Sequence, residues 1–221
     1  MVSRGKFLKL GVAGLAGVLF SPGAPGCGSG GPEDPEGTMV SEPEELETMQ
    51  QTVEISTPRG KVHGVFYPAD GARGAVVMVG GAGGGIHGPS GIYEEFATLL
   101  QTEGATALRL EYRTPNHLDE CVYDVLAALA ALGDRGVDRT VLVGWSFGGA
   151  VVISAGAESE AVVGIATVAS QTYGAGAVRE LSPEKSLLLM HGTADQVLPD
   201  RLSRDLYARA GEPKELVAVP R

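Results

Sequence analysis

Hydrophobic and polar positions along this chain alternate between two periods. Residues 52–56 and 62–67 alternate apolar with polar positions on either side of Pro58-Arg59-Gly60, which predicts two strands paired as an antiparallel hairpin. Residues 75–79 are continuously apolar and run into glycines, the pattern of a strand buried on both faces. Residues 90–102 change to a helical period, with Ile92, Phe96, Leu99 and Leu100 on one face. A strand follows at 105–110, then an Ala- and Leu-rich helix at 118–132 that Gly133 ends. Residues 140–143 predict a buried strand and 150–155 an apolar helix. Strands at 162–168 and 186–190, a helix at 199–209 and a strand at 215–219 complete the series. Strands alternating with helices predict an α/β fold, a mostly parallel central sheet with helices on both faces. The stretch between Val168 and Ser186 is too short for a lid domain, so the sheet's catalytic edge is expected to be open to solvent.

Ahead of residue 52 the pattern is different. Arg4, Lys6 and Lys9 precede an apolar run at 10–20 that is short for a bilayer span but suits the core of a signal peptide. Residues 3–9 resemble a twin-arginine export signal, with Gly5 in the place of the second arginine. Cys27, after Ala24-Pro25-Gly26, resembles a bacterial lipoprotein cleavage site. Residues 1–26 are therefore expected to be an export signal, and Cys27 a candidate for lipidation and membrane attachment. Export would place the protein in the periplasm or outside the cell. Residues 27–51 are rich in Gly and Pro, and carry Glu33, Asp34, Glu36, Glu42, Glu44, Glu45 and Glu47 with no Lys or Arg. Such a segment cannot bury enough apolar area to order itself and is expected to be a solvated linker. Residues 52–221 are expected to form one domain.

Composition narrows the function classes. With 43% hydrophobic but only 5% aromatic residues among 221, the core is expected to be built from Val, Leu and Ala. A net charge of −10 argues against a nucleic-acid partner. Two cysteines make no disulfide framework, and no His/Cys spacing matches a zinc site, so neither a metal nor an organic cofactor is implied.

The candidate chemistry lies at three strand ends. Gly144-Trp145-Ser146-Phe147-Gly148-Gly149 joins the strand at 140–143 to the helix at 150–155. A serine on so tight a strand-to-helix turn stands clear of the sheet edge, and the amide after it, at a helix N-terminus, can hold an oxyanion. Gly80-Gly81-Ala82-Gly83-Gly84-Gly85 follows the strand at 75–79 and can bring backbone N–H groups close to a reacting carbonyl. His191-Gly192-Thr193-Ala194-Asp195 follows the strand at 186–190, placing Asp195 where α/β folds gather functional groups.

These motifs, with Gln196-Val197-Leu198-Pro199 after the acid, occur in an order that resembles the α/β-hydrolase superfamily and its lidless, dienelactone-hydrolase-like members. The resemblance covers residues 52–221. It implies Ser146 as nucleophile, Asp195 as the acid that orients a histidine base, and the backbone N–H groups of Phe147 and Ala82 as oxyanion hole. The substrate it implies is a small molecule with a carboxylic ester or related acyl bond. In that family the histidine follows the acid, after one more strand, whereas no histidine follows Asp195 here. A chain truncated just before its base is the economical expectation.

The histidines that do occur have other expected places: His191 shapes the acid's turn, His87 caps the glycine loop, His117 is a surface or capping residue, and His63 lies in the hairpin. Two rival functions follow. A hydrolase-fold protein without activity would bind a ligand or partner. A dinucleotide site would use Gly83-Gly84-Gly85-Ile86-His87-Gly88, with Glu111 on the ribose, although Pro89 interrupts the turn into the helix.

Overall fold

The computed structural model describes residues 49–220. The segment expected to be an export signal, Cys27 and nearly all of the segment expected to be an acidic linker lie outside these residues.

The hairpin expected at the start of the domain is β1 (Gln51–Thr57) and β2 (Gly60–Tyr67), paired antiparallel with Ile55 opposite Val62. Thr57 closes its turn, donating through Oγ1 to the Gly60 carbonyl at 2.7 Å and accepting from the Arg59 amide at 3.1 Å. The remaining strands are β3 (Gly74–Val79), β4 (Thr106–Glu111), β5 (Arg139–Trp145), β6 (Val162–Val168), β7 (Ser186–Gly192) and β8 (Lys214–Val219). They form one eight-stranded sheet in the order β1-β2-β4-β3-β5-β6-β7-β8. β2 joins β4 antiparallel, and every pair from β4 to β8 is parallel.

Four helices cover this sheet: α1 (Ile92–Thr102), α2 (Leu118–Gly133), α3 (Phe147–Glu158) and α4 (Arg201–Arg209). Alternate strand residues divide the core between the two faces, as the pleat requires. Val77, Val79, Leu110 and Leu142 pack with α2 and α3 on one face, while Val76, Met78, Val141 and Val143 pack with Phe96 and Leu100 of α1 on the other. α3 is apolar all round and correspondingly buried, with Ala150 through Ile153 fully inaccessible.

Helix starts are where the sequence reading shifts. α1 begins at Ile92 rather than residue 90, because Ser90 (φ 57°) and Gly91 (φ 74°) occupy left-handed conformations that a helix cannot continue. α3 begins at Phe147, directly after the serine, where local apolarity pointed to Ala150.

The chain leaves β3 for β4 on one side and crosses to β5 on the other. The carboxyl ends of β3 and β5 therefore flank the topological switch point, where open α/β sheets bind ligands. The loop from β4 to α2 is fixed beside this crevice by a buried ion pair. Asp124 of α2 is fully inaccessible and accepts from the Arg113 amide at 2.9 Å and from the Arg113 Nε. Arg113 also donates to the Arg59 carbonyl at 2.7 Å and to Glu120 at 2.7 Å, tying the hairpin, the loop and α2 together.

Removing Asp124 leaves Arg113 its partner Glu120 but takes away the carboxylate that accepts from its amide and Nε, at a cost of about 1.5–3 kcal/mol. Asp124→Ala is therefore expected to lower the unfolding free energy by that amount in urea titrations. A loss below about 1 kcal/mol, the range of exposed pairs, would show that Arg113 is rescued by solvent.

Candidate active site

Ser146 stands between β5 and α3 with φ 56° and ψ −115°, a conformation that a residue with a side chain adopts only when its surroundings impose it. Those surroundings are glycines. A Cβ on Gly144 would overlap the carbonyl of Gly148, and one on Gly149 would overlap Ser170. A Cβ on Gly148 would overlap the carbonyl oxygen of Gly80 and stand 3.1 Å from that of Val79. The turn can close, and α3 can approach the end of β3, only because these positions lack side chains. The Ser146 amide donates to the Val168 carbonyl at 2.9 Å, and the Ser146 carbonyl accepts from Gly149 at 3.0 Å. Phe147 is the first residue of α3, so its N–H has no carbonyl behind it within the helix.

The glycine loop after β3 folds back as a tight turn. The Gly84 amide donates to the Gly81 carbonyl at 3.0 Å, leaving Ala82 and Gly83 exposed at the tip. Two buried tyrosines hold its root: Tyr93 donates to the Val79 carbonyl at 3.1 Å and Tyr112 to the Gly80 carbonyl at 3.3 Å. Burial pushes both phenols well above their ordinary pKa, so they remain donors. A Cβ on Gly81 would lie 3.6 Å from the Cβ of Ser146 and from the Trp145 ring, which measures how closely loop and serine approach. No dinucleotide cradle forms here. α1 begins only after the Pro89–Gly91 turn, Gly88 packs on the Tyr93 ring, and Glu111 pairs with His63 of β2.

Asp195 follows β7 in a turn of its own. Its Oδ1 accepts from the amides of Val197 (2.8 Å) and Leu198 (2.9 Å), and its own amide donates to the Gly192 carbonyl at 3.1 Å. Partial burial raises the carboxyl's pKa, but the two amides outweigh this and hold it below the ordinary carboxylate value. Asp195 is thus an anion at neutral pH, and its Oδ2 carries no hydrogen bond among the described residues. The carbonyl of Val219, at the end of β8, accepts from the Thr193 amide at 3.0 Å, so β8 finishes beside the Asp195 turn.

His191 is fully committed. Its Nε2 donates to the Leu198 carbonyl at 2.7 Å, and its Nδ1 meets Ser203 Oγ at 2.7 Å, which makes Nδ1 the acceptor when the ring is neutral. Oδ2 of Asp195 lies 3.9 Å from Nε2, beyond hydrogen-bond distance.

Ser146, Phe147 and Ala82 line one open cavity of about 940 Å³. Asp195 is not in its wall, but holds Leu198, which is. His117 is: it is exposed at the N-terminus of α2, makes no capping hydrogen bond through its side chain, and faces the same cavity as Ser146. His117 is thus a surface residue, one of the two places expected for it. Asp119 and Tyr173 also line this cavity. They lie far apart in sequence and belong to no motif, so only the folded chain shows that they meet. Among the described residues, no group of three or more His, Cys, Asp or Glu gathers to hold a metal ion.

The contact of Gly148 with the Gly80 carbonyl can be tested alone. Gly148→Ala must push α3 off the glycine loop, and overpacking of this kind costs about 1–3 kcal/mol. The expected result is a fall in thermal stability together with altered Trp145 emission. Unchanged values of both would show that the two backbones separate freely.

No protein-family model matches the sequence. A curated relative, the uncharacterised protein YfhR of Escherichia coli O157:H7, is 32% identical over 96 residues. That match covers 43% of this chain and spans about a third (32%) of the relative's length. Among solved structures, the chain resembles dienelactone hydrolase of Anabaena variabilis, with a TM-score of 0.70 at 21% identity over 79% of this chain and 87% of that one. The Pyrococcus furiosus esterase Pf2001 gives 0.68 at 17% identity, over 85% and 89% of the two chains. The esterase domain of a Rhodothermus marinus protein gives 0.63 at 18% identity, over 77% and 87%. Strand order, the turn at Ser146 and these likenesses agree: the chain has the α/β-hydrolase fold, in a dienelactone-hydrolase-like form.

Proposed function

We propose that this protein is a serine hydrolase acting on a carboxylic ester or related acyl bond. The observation that carries this reading is Ser146, held at positive φ beside a cavity that Phe147 and Ala82 also line. In this reaction Ser146 Oγ attacks the carbonyl carbon and a base takes its proton. The N–H groups of Phe147 and Ala82 hold the resulting oxyanion. The alkoxide leaves with a proton returned by the base, and water then releases the acyl group from the serine. The fold-level likeness to a dienelactone hydrolase and two esterases supports this reading.

Asp195 is the acid in this scheme, its free Oδ2 being the oxygen that would orient an imidazole. Among the described residues, no side chain hydrogen-bonds Ser146 Oγ, and His191 is already committed to Leu198 and Ser203. The same observation favours a second reading, a hydrolase-fold protein that binds a ligand in this cavity without turning it over.

Serine hydrolases that lose one member of a Ser-His-Asp set retain about 10³- to 10⁴-fold catalysis over water through the oxyanion hole and binding alone. The 221-residue chain is therefore expected to hydrolyse p-nitrophenyl acetate slowly, and added imidazole to raise the rate above the background measured with Ser146→Ala. A rate equal to that of Ser146→Ala, with or without imidazole, would favour the binding protein. Fast, imidazole-independent hydrolysis lost in His117→Gln would contradict the account by making His117 the base.

A further inference from the structure

The cavity at Ser146 is charged on one side. Asp119 and Glu120, in the first turn of α2, both line it, and among the described residues no Lys or Arg does. The two carboxylates are not equivalent. Glu120 is neutralised by Arg113 at 2.7 Å and Arg59 at 3.1 Å, which hold its carboxyl below the ordinary range. Asp119 is exposed and has no ion pair or hydrogen bond among the described residues.

A second cavity, of about 370 Å³, shares Leu118 and Asp119 with the first and adds Glu158. Its one lining cation, Arg59, is the residue already paired with Glu120. Asp119 thus stands where the two spaces meet, with its charge uncompensated.

The opposing loop presents an aromatic ring. Tyr173 is 80% exposed, an unusual state for a large ring, and it lines the Ser146 cavity. Its backbone is fixed from both sides. Gln171 donates to its carbonyl at 2.7 Å and accepts from its amide at 2.8 Å, and Ser154 anchors the Gly174 carbonyl at 3.1 Å. The loop that carries the ring is therefore braced at the cavity's edge. An aromatic face and an unpaired carboxylate in one cavity suit an organic cation, which gains from both the ring quadrupole and the charge. An anionic group would instead meet Asp119 in a cavity where His117 is the one lining side chain, among the described residues, able to carry positive charge, inside a protein of net charge −10.

We propose that this site selects esters whose acyl or alcohol part carries a quaternary or protonated amine, with Asp119 and Tyr173 as the residues that select it. The proposal rests on the hydrolase reading for the word ester, while charge selection is a property of binding and is measured without turnover. Trp145 is the only tryptophan in the chain and adjoins Ser146, so its fluorescence reports on the site.

The test titrates the full chain with choline, with its uncharged isostere in which carbon replaces nitrogen, and with the corresponding tert-butyl carboxylate. Choline is expected to bind about tenfold more tightly than the isostere, and the carboxylate more weakly than either. Asp119→Asn is expected to reduce the choline preference to within about twofold. Tyr173→Leu, at an exposed position that threatens no packing, is expected to weaken choline and spare the isostere. Ser146→Ala is expected to keep the preference, so failure of hydrolysis and failure of charge selection are separate results. Equal binding of choline and its isostere, tighter binding of the carboxylate, or a preference unchanged in Asp119→Asn would overturn the proposal.

Discussion

The site depends on two backbones meeting with no side chain between them. Gly148, in the first turn of α3, lies against the carbonyl of Gly80 at the end of β3, and a single added methyl would overlap that oxygen. This contact sets the distance between the serine turn and the glycine loop, and hence between Ser146 and the amides of Phe147 and Ala82. It also explains why glycines flank the serine as they do. Gly144 and Gly149 are held to the same standard by the Gly148 carbonyl and by Ser170. The unfavourable φ of Ser146 is sustained because the neighbouring strands and α3 leave the chain no other route.

Around that contact, the fold distributes support unevenly. Tyr93 and Tyr112 reach from α1 and from the end of β4 to the two carbonyls at the root of the glycine loop, and Arg113 with Asp124 fixes the loop that leads to α2. The glycine-loop side of the site is therefore rigidly backed. On the acid side, Asp195 organises its own turn through Oδ1, while His191 is sealed between Leu198 and Ser203. In the proposed reaction these residues would supply a nucleophile, an oxyanion site and an oriented carboxylate.

The sheet and helices were legible because burial here follows simple periods. Continuous apolar runs such as Val76–Val79 became central parallel strands, and the Ile92, Phe96 and Leu100 spacing became the buried face of α1. The ends of elements were less legible. Apolarity marked Ala150 as the start of α3, yet the helix begins at Phe147, because the turn is set by contacts from Gly80 and Ser170 that lie far away in sequence. The motif residues Ser146, Ala82 and Asp195 could be singled out from strand ends and glycine spacing. His117, Asp119 and Tyr173 could not, since a residue on a helix start and a residue on a distant loop share a cavity only after the sheet has brought α2 and the segment after β6 together.

The central claim of the proposal is that the elbow makes Ser146 a nucleophile that an added base can activate. The most direct measurement locates the adduct formed by a fluorophosphonate ester, using intact-mass and peptide mass spectrometry with and without imidazole. The account predicts a single adduct, on Ser146, that forms slowly alone and faster with imidazole, and that is absent from Ser146→Ala. No adduct on Ser146 under either condition, or labelling spread over other hydroxyls at the same rate, would contradict it.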